Sequence, residues 1–257
     1  IVLLGKERKI SIRKDLFNKL ALDVDKTTLL APTGVAWDAT SRMKSKCFDN
    51  IYDWIFETID WFTNHTDYQL IVRVHPAENI VSSIAQSHRT TFLKELSKRN
   101  IELSPNVKIL SYDSDISTYD LFPVVDVGCV FSSTTGLEMA CYGIPTFCHE
   151  SHYSDKGFTI DPQNKDDYRA LLESALSGEI KKIPENFSEL AKKYYYLYYF
   201  HRSVLQDYFT NDYLQMNRLS VKDILPGKNK ILDYFCDSVL NNLPLYGKNR
   251  WIPDSNY

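Results

Sequence analysis

The residues best suited to chemistry in this chain sit where an apolar run gives way to a polar one. In VGCVFSSTTGLEMACYGIPTF, residues 127–147, the hydroxyls of Ser132, Ser133, Thr134 and Thr135 and the bare Gly136 separate a strand-like run from a helix-like one. The first amides of a helix have no intrahelical partners and carry roughly half a positive charge, so they receive phosphate readily. Hydroxyls at such a start can donate to phosphate oxygens, and a glycine lets a bulky group approach the backbone. A reading without a ligand is also open: Thr135 followed by Glu138 has the spacing of a capping box. The box accounts for those two residues and leaves Ser132 and Ser133 unexplained.

A second candidate is IVRVHPAE, residues 71–78, where Arg73 and His75 fall two apart at the end of a strand-like run and leave it on one face. A guanidinium fork suits phosphate or carboxylate, and an imidazole can donate to a phosphate or to its bridging oxygen as a sugar departs. Alternatively His75 bonds a neighbouring carbonyl and Arg73 pairs with Glu78. In LLAPTGVAWDAT, residues 29–40, Thr33 and Gly34 make another strand-to-loop turn whose backbone could meet a nucleotide sugar, and Asp38 is an acid close by or a helix cap. In SDKGFTID, residues 154–161, Gly157 serves a turn, while Lys156 either neutralises a phosphate or faces water. Asp113 and Asp115 in YDSDIS are the nearest approach to an acidic pair that would hold a divalent ion on a pyrophosphate, and they read as a solvated loop. No metal and no cofactor is expected.

What must position these residues is an alternation of short apolar runs with longer helical ones. Strands are expected at 27–33, 68–74, 107–110, 127–131 and 144–148, and helices at 48–65, 88–99, 116–124, 135–142 and 165–177. Pro76 ends the second strand, because a residue before proline is held extended. Runs such as VGCVF are apolar at consecutive positions, as strands covered on both faces are. The pattern predicts an α/β fold, a Rossmann-like doubly wound parallel sheet over 27–183. In such a sheet ligands bind beyond the carboxyl ends of the strands, where all of the candidates above lie. Residues 1–26 read as a linker or the remnant of a missing N-terminal domain. Residues 184–257 read as a helical extension, with helices at 187–209 and 229–243. The aromatic run from Tyr194 to Phe200 would point its rings all round a helix axis, which suits packing better than a stacking platform for nucleic acid.

The chain has 257 residues, 44% hydrophobic and 25% charged, with a formal net charge of −3, so it lacks the basic footprint of a nucleic-acid binder. Its five cysteines form no CxxC pair and no metal-type spacing, which predicts reduced thiols and a cytoplasmic setting. No apolar stretch approaches the ~18 residues that span a bilayer.

The HP of His75 and Pro76 after one strand, and the SS of Ser132 and Ser133 after a later one, resemble the paired motifs of bacterial GT-B sialyltransferases and Kdo transferases. SSTTGLEMACYGIPTF, with APTGVAWDAT before it and DKGFTID after it, is more closely similar to the capsule and surface polysaccharide biosynthesis family. The similarity covers roughly residues 25–178, the nucleotide-binding C-terminal-type half of a GT-B enzyme. It implies a glycosyltransferase using a nucleotide-sugar donor, CMP-linked as in CMP-Kdo, in capsule or lipopolysaccharide assembly. The implied acceptor is a glycan or glycolipid, and the implied location is cytoplasmic, with room for peripheral association at the inner membrane. His75 would be catalytic and, with Pro76, would face the donor nucleotide. Ser132 and Ser133 would meet the phosphate with Thr134 and Thr135 beside them, and Glu138 would bind the ribose. A complete GT-B enzyme carries a second Rossmann-like domain with the acceptor site, which this sequence does not supply. CDP-glycerol-type phosphotransferases and UDP-sugar 2-epimerases share this architecture, and a non-catalytic nucleotide-binding or docking module is the alternative from another class.

Overall fold

The computed structural model describes residues 6–38, 44–82, 91–180, 183–201, 220–228 and 230–243. Strands β1 (Thr28–Pro32), β2 (Gln69–Arg73) and β4 (Val127–Val130) are buried at every position, as their apolar centres require, and the polar Thr28, Gln69 and Arg73 at their ends are buried with them. With β3 (Val107–Leu110) and β5 (Thr146–Cys148) they form one parallel sheet in the order β3-β2-β1-β4-β5. This is the expected Rossmann-like α/β fold. The strand order reverses between β1 and β4, which makes their carboxyl ends the place for a crevice.

Alternate strand residues face opposite helix layers. Leu29, Ala31, Leu70, Val72, Val127 and Cys129 join Trp54, Ile59 and Phe62 of α2 (Ile51–Asn64) and Tyr168 and Leu172 of α6 (Lys165–Leu176) in one core. Each fully buried side chain of this size contributes about 1.5–3 kcal/mol. Asn50 and Asn164 cap these two helices by accepting from Tyr52 N and Asp53 N, and from Asp167 N. On the other face, α5 (Thr134–Tyr142) presses so closely on β4 that a Cβ at Gly128 would lie 2.7 Å from Met139 Sδ. Gly143, left-handed at φ 96°, ends α5, and the fifth strand begins at Thr146 rather than at 144 because Ile144 N still bonds Met139 O.

Residues 6–20, expected to lie in a linker or domain remnant, form a helix, α1 (Lys6–Leu20). Its sequence is charged nearly all round, so no apolar stripe announces it; Phe17 is its anchor and is fully buried. Arg13 donates to Val24 O, Lys26 O and Val124 O and pairs with Asp126 at 3.1 Å, tying the helix to the amino ends of β1 and β4. Helices α3 (Phe92–Arg99) and α4 (Thr118–Leu121) begin at Thr91 and Ser117 caps. Of the helix expected at 88–99, residues 88–90 lie outside the described residues.

The chain divides into two compact units, Ile1–Lys192 and Lys193–Tyr257, so the boundary falls within α7 (Phe187–Tyr196). In the second unit a π turn at Leu197–His201 continues that helix, and Tyr194 stacks on Tyr198 at 5.8 Å. A short 3-10 turn at Val221–Ile224 and α8 (Lys230–Leu240) follow. Residues 202–209 and 229, expected to be helical, lie outside the described residues. No helix among the described residues is long and apolar enough to cross a membrane.

Candidate functional site at the carboxyl ends of β1, β2 and β4

Parallel pairing brings the predicted residues to one edge of the sheet. Leu30 pairs with Ile71 on one side and with Gly128 on the other. The segments that leave the carboxyl ends of these three adjacent strands carry Gly34, His75 and Ser132. The ladder persists past the strand ends: Thr33 N bonds Arg73 O, and Glu150 N bonds Phe131 O. β1 lies between the strands that lead to His75 and Ser132, so those two strands are about 10 Å apart, two strand spacings of ~4.8 Å.

His75 is exposed, and its backbone is fixed from two sides. Its N–H donates to Oγ1 of the buried Thr33 at 3.1 Å, and its carbonyl accepts from Glu78 N. Thr33 is therefore a clamp between β1 and β2 and turns its hydroxyl oxygen to protein. Ala77 N donates to His75 Nδ1 at 3.1 Å. A ring nitrogen that accepts carries no proton, so the neutral imidazole holds its hydrogen on Nε2 and can donate it to an anion. Partial desolvation of its ring and then the charge of Arg73 pull the His75 pKa below its ordinary value, partly offset by Asp38. Pro76 opens a 3-10 turn, Pro76–Ser82, where its missing N–H is no loss. Gly34 is half-buried, and Asp38, which closes a turn to Val35 O, is exposed and starts no helix among the described residues.

The start of α5 differs in detail from the capping box expected at Thr135. Ser133 is the cap: its backbone is extended and its Oγ accepts from Thr135 N at 3.3 Å while donating to Thr135 Oγ1 at 3.1 Å. Thr135 and Glu138 thus do not bridge each other, because the helix begins two residues earlier than that motif requires. Ser132 is half-buried and Thr134 exposed, and neither hydroxyl is bonded among the described residues. With its oxygen already accepting from Ser133, Thr135 keeps a hydroxyl proton to donate outward.

Two expected contacts are redirected by packing. Gly136 does not open the backbone to a ligand: a Cβ there would meet Tyr153 Oη at 2.3 Å and Val130 Cγ2 at 2.5 Å. Its bareness lets α5 lie on β4 and on the loop after β5. Arg73 is 4% exposed and spends its fork on backbone, donating to Ile116 O, Val74 O and Ser111 O, with Nη2 3.5 Å from Ser114 O. It binds down the β3–α4 loop rather than an anion, and it does not pair with Glu78. That carboxylate is buried, takes Phe92 N on both oxygens at the start of α3, and is pushed up to about 7 by burial.

Glu138 is half-buried, and Oε2 accepts from Tyr119 Oη at 2.9 Å. Burial raises its pKa and the tyrosine bond opposes that rise. Lys156 is exposed on the loop after β5, and Gly157 beside it is left-handed at φ 82°. Asp115 pairs with Lys19 of α1 at 2.6 Å and Asp113 accepts from Ser111 Oγ in its own loop, so both acids are engaged. Sequence reasoning missed Tyr153 and Tyr119. Tyr153 is fully buried, stacks on Phe158, and donates to the Ser133 carbonyl, so the loop after β5 holds the cap of α5. Two large aromatics, Tyr153 and Phe158, inside the otherwise polar run SHYSDKGF are the signal that could have found it. The cysteines are all free, and burial pushes the thiols of Cys129 and Cys148 up to about 12.

No protein-family model matches the chain, and no curated protein matches it. Solved structures do. KpsC beta Kdo 2,4 transferase of Thermosulfurimonas dismutans is 14% identical over 74% of this chain and 56% of its own, with a TM-score of 0.43. The wall teichoic acid polymerase TagF is 14% identical over 76% of this chain and 46% of its own, with a TM-score of 0.42. UDP-GlcNAc 2-epimerase of Methanocaldococcus jannaschii is 15% identical over 72% of this chain and 49% of its own, with a TM-score of 0.40. The chain spans about half the length of these structures, and at such identities the likeness is one of fold alone.

Proposed function

We propose that the first unit binds the nucleotide end of a nucleotide-sugar donor over β1, β2 and β4, as part of a GT-B glycosyltransferase of surface-polysaccharide assembly. The observation that carries this reading is that Gly34, His75 and Ser132 follow three adjacent parallel strands at the carboxyl edge where the strand order reverses. The donor phosphate lies at the start of α5, taking hydrogen bonds from Ser132, Thr134 and Thr135 and the field of the helix. His75 donates its Nε2 proton toward the leaving phosphate from the far side of β1, so negative charge developing there is met by fixed donors. Glu138 faces the ribose, and Lys156 on the loop after β5 screens the remaining charge. Ser133 contributes through its cap, Thr33 through its clamp on His75, and Arg73 through the loop it holds. The donor chemistry to test first is CMP-linked, as in CMP-Kdo, with a glycan or glycolipid acceptor held outside this chain.

Isothermal titration of the chain with CMP, CDP and UDP tests the reading. CMP binding that falls at least tenfold in His75→Ala and in Ser132→Ala, with melting unchanged, is the expected result. Ser132 is the better probe than Ser133, whose cap alone is worth about 1 kcal/mol of stability. Preference for CDP or UDP moves the assignment to a CDP-glycerol-type phosphotransferase or a UDP-sugar epimerase-like enzyme. Binding of none of the three defeats it.

A further inference from the structure

We infer that Tyr119 forms the nucleoside end of this crevice: its hydroxyl positions Glu138 for the ribose hydroxyls, and its ring is the surface on which the nucleoside lies. The inference rests on the nucleotide site proposed above and adds a residue to it. Tyr119 stands on α4, whose start is held from below by the Arg73 bond to Ile116 O and closed by a reciprocal cap between Ser117 and Asp120. Its ring is braced edge-on by the buried Phe122, with centroids 5.3 Å apart at 63°, and Phe122 in turn meets Tyr142 of α5 at 5.7 Å. The tyrosine is nonetheless 58% exposed, an unusual state for a ring so firmly placed.

Its hydroxyl reaches Glu138 Oε2 at 2.9 Å. A carboxylate offers about four acceptor positions, and this bond occupies one while fixing the rotation of the group. The tyrosine proton also favours the ionised carboxylate, against the burial that would neutralise it. A fixed, charged acceptor beside an exposed flat ring is the chemistry that recognises a nucleoside, vicinal hydroxyls on the carboxylate and the base or sugar face on the ring. Tyr119 is a positioning residue with respect to Glu138 and a contact residue through its ring.

Titration of the full chain with the preferred ribonucleotide and its 2′,3′-dideoxy counterpart tests this. Tyr119→Phe keeps the ring and removes the hydroxyl. It should weaken the ribonucleotide about fivefold, the net worth of one hydrogen bond, and leave the dideoxy nucleotide unchanged. Tyr119→Leu should weaken both. Equal loss of both nucleotides in Tyr119→Phe, or no loss of either, overturns the positioning role, and an unaltered dideoxy affinity in Tyr119→Leu overturns the ring contact. A wild-type chain that binds no nucleotide removes the proposed site and Tyr119's part in it together. Binding in the wild type with indifference to Tyr119→Phe removes only the latter.

Discussion

Replacing Gly136 by alanine tests whether the helix that carries the serines is seated as described. Gly136 has an ordinary helical backbone, so propensity alone would make alanine about 1 kcal/mol better. Packing opposes it. The new methyl would stand 2.3 Å from Tyr153 Oη and 2.5 Å from Val130 Cγ2, and neither group is free to move. Val130 is fully buried within β4, and Tyr153 is fully buried with its hydroxyl bonded to Ser133 O. Forcing a methylene into a packed site costs about 1–3 kcal/mol, and displacing the tyrosine loses about 1 kcal/mol more of hydrogen bonding. After the propensity gain the net destabilisation is about 1–3 kcal/mol, a fall in Tm of roughly 2–10 °C for a unit of this size. Thermal melting and urea unfolding measure it. In a Tyr153→Phe background the hydroxyl clash is gone and the nearest remaining tyrosine atom is 3.3 Å away. There the same substitution should be about 1 kcal/mol milder, a coupling a double-mutant cycle detects. An alanine variant as stable as the wild type, or additivity in the cycle, would refute the seating of α5 on β4 and Tyr153.

Arg73→Met should destabilise the first unit by about 2–4 kcal/mol, because buried carbonyls of the β3–α4 loop lose their donors. Arg73→Lys should restore little of that in denaturant melts, since one ammonium cannot replace a fork; full restoration would mean that charge is what the site uses. The raised pKa of Glu78, about 7 in the fold against an ordinary 4.5, makes the unfolded chain the first to lose that proton as pH rises. Stability contributed there is therefore complete below pH 4.5 and declines up to about pH 7, by about 3 kcal/mol in all. Glu78→Gln should remove that slope from the pH profile of unfolding, and an unchanged slope would show that the carboxyl is already ionised in the fold. A disulfide reagent added to the native chain should modify the exposed Cys236 first and Cys141 more slowly, leaving the buried Cys47, Cys129 and Cys148 until unfolding. Fast reaction at Cys129 or Cys148 would contradict their burial.

Much of the fold was legible in the chain because its strands are buried on both faces. An unbroken run such as VGCVF has few alternatives when glycine, proline and helical periodicity bracket it, and strand–helix alternation leaves a parallel sheet as the economical arrangement. The same logic puts His75, Thr33 and Ser132 at strand ends. Helix α1 was illegible because a helix anchored by Phe17 and by the backbone bonds of Arg13 needs no apolar stripe.

Sequence alone determined which residues reach the carboxyl edge of the sheet, since local periodicity and strand length decide that. Only the tertiary structure decided what each does there. Arg73 and Gly136 have the types that greet a phosphate, yet the first is spent on Ser111, Ile116 and Val74 carbonyls and the second on Tyr153 and Val130. Tyr119 and Tyr153 carry no motif, yet long-range contacts place one on Glu138 and the other on the cap of α5. The physical reason is that a donor or a gap has no fixed partner until distant segments compete for it, and that competition is settled by packing.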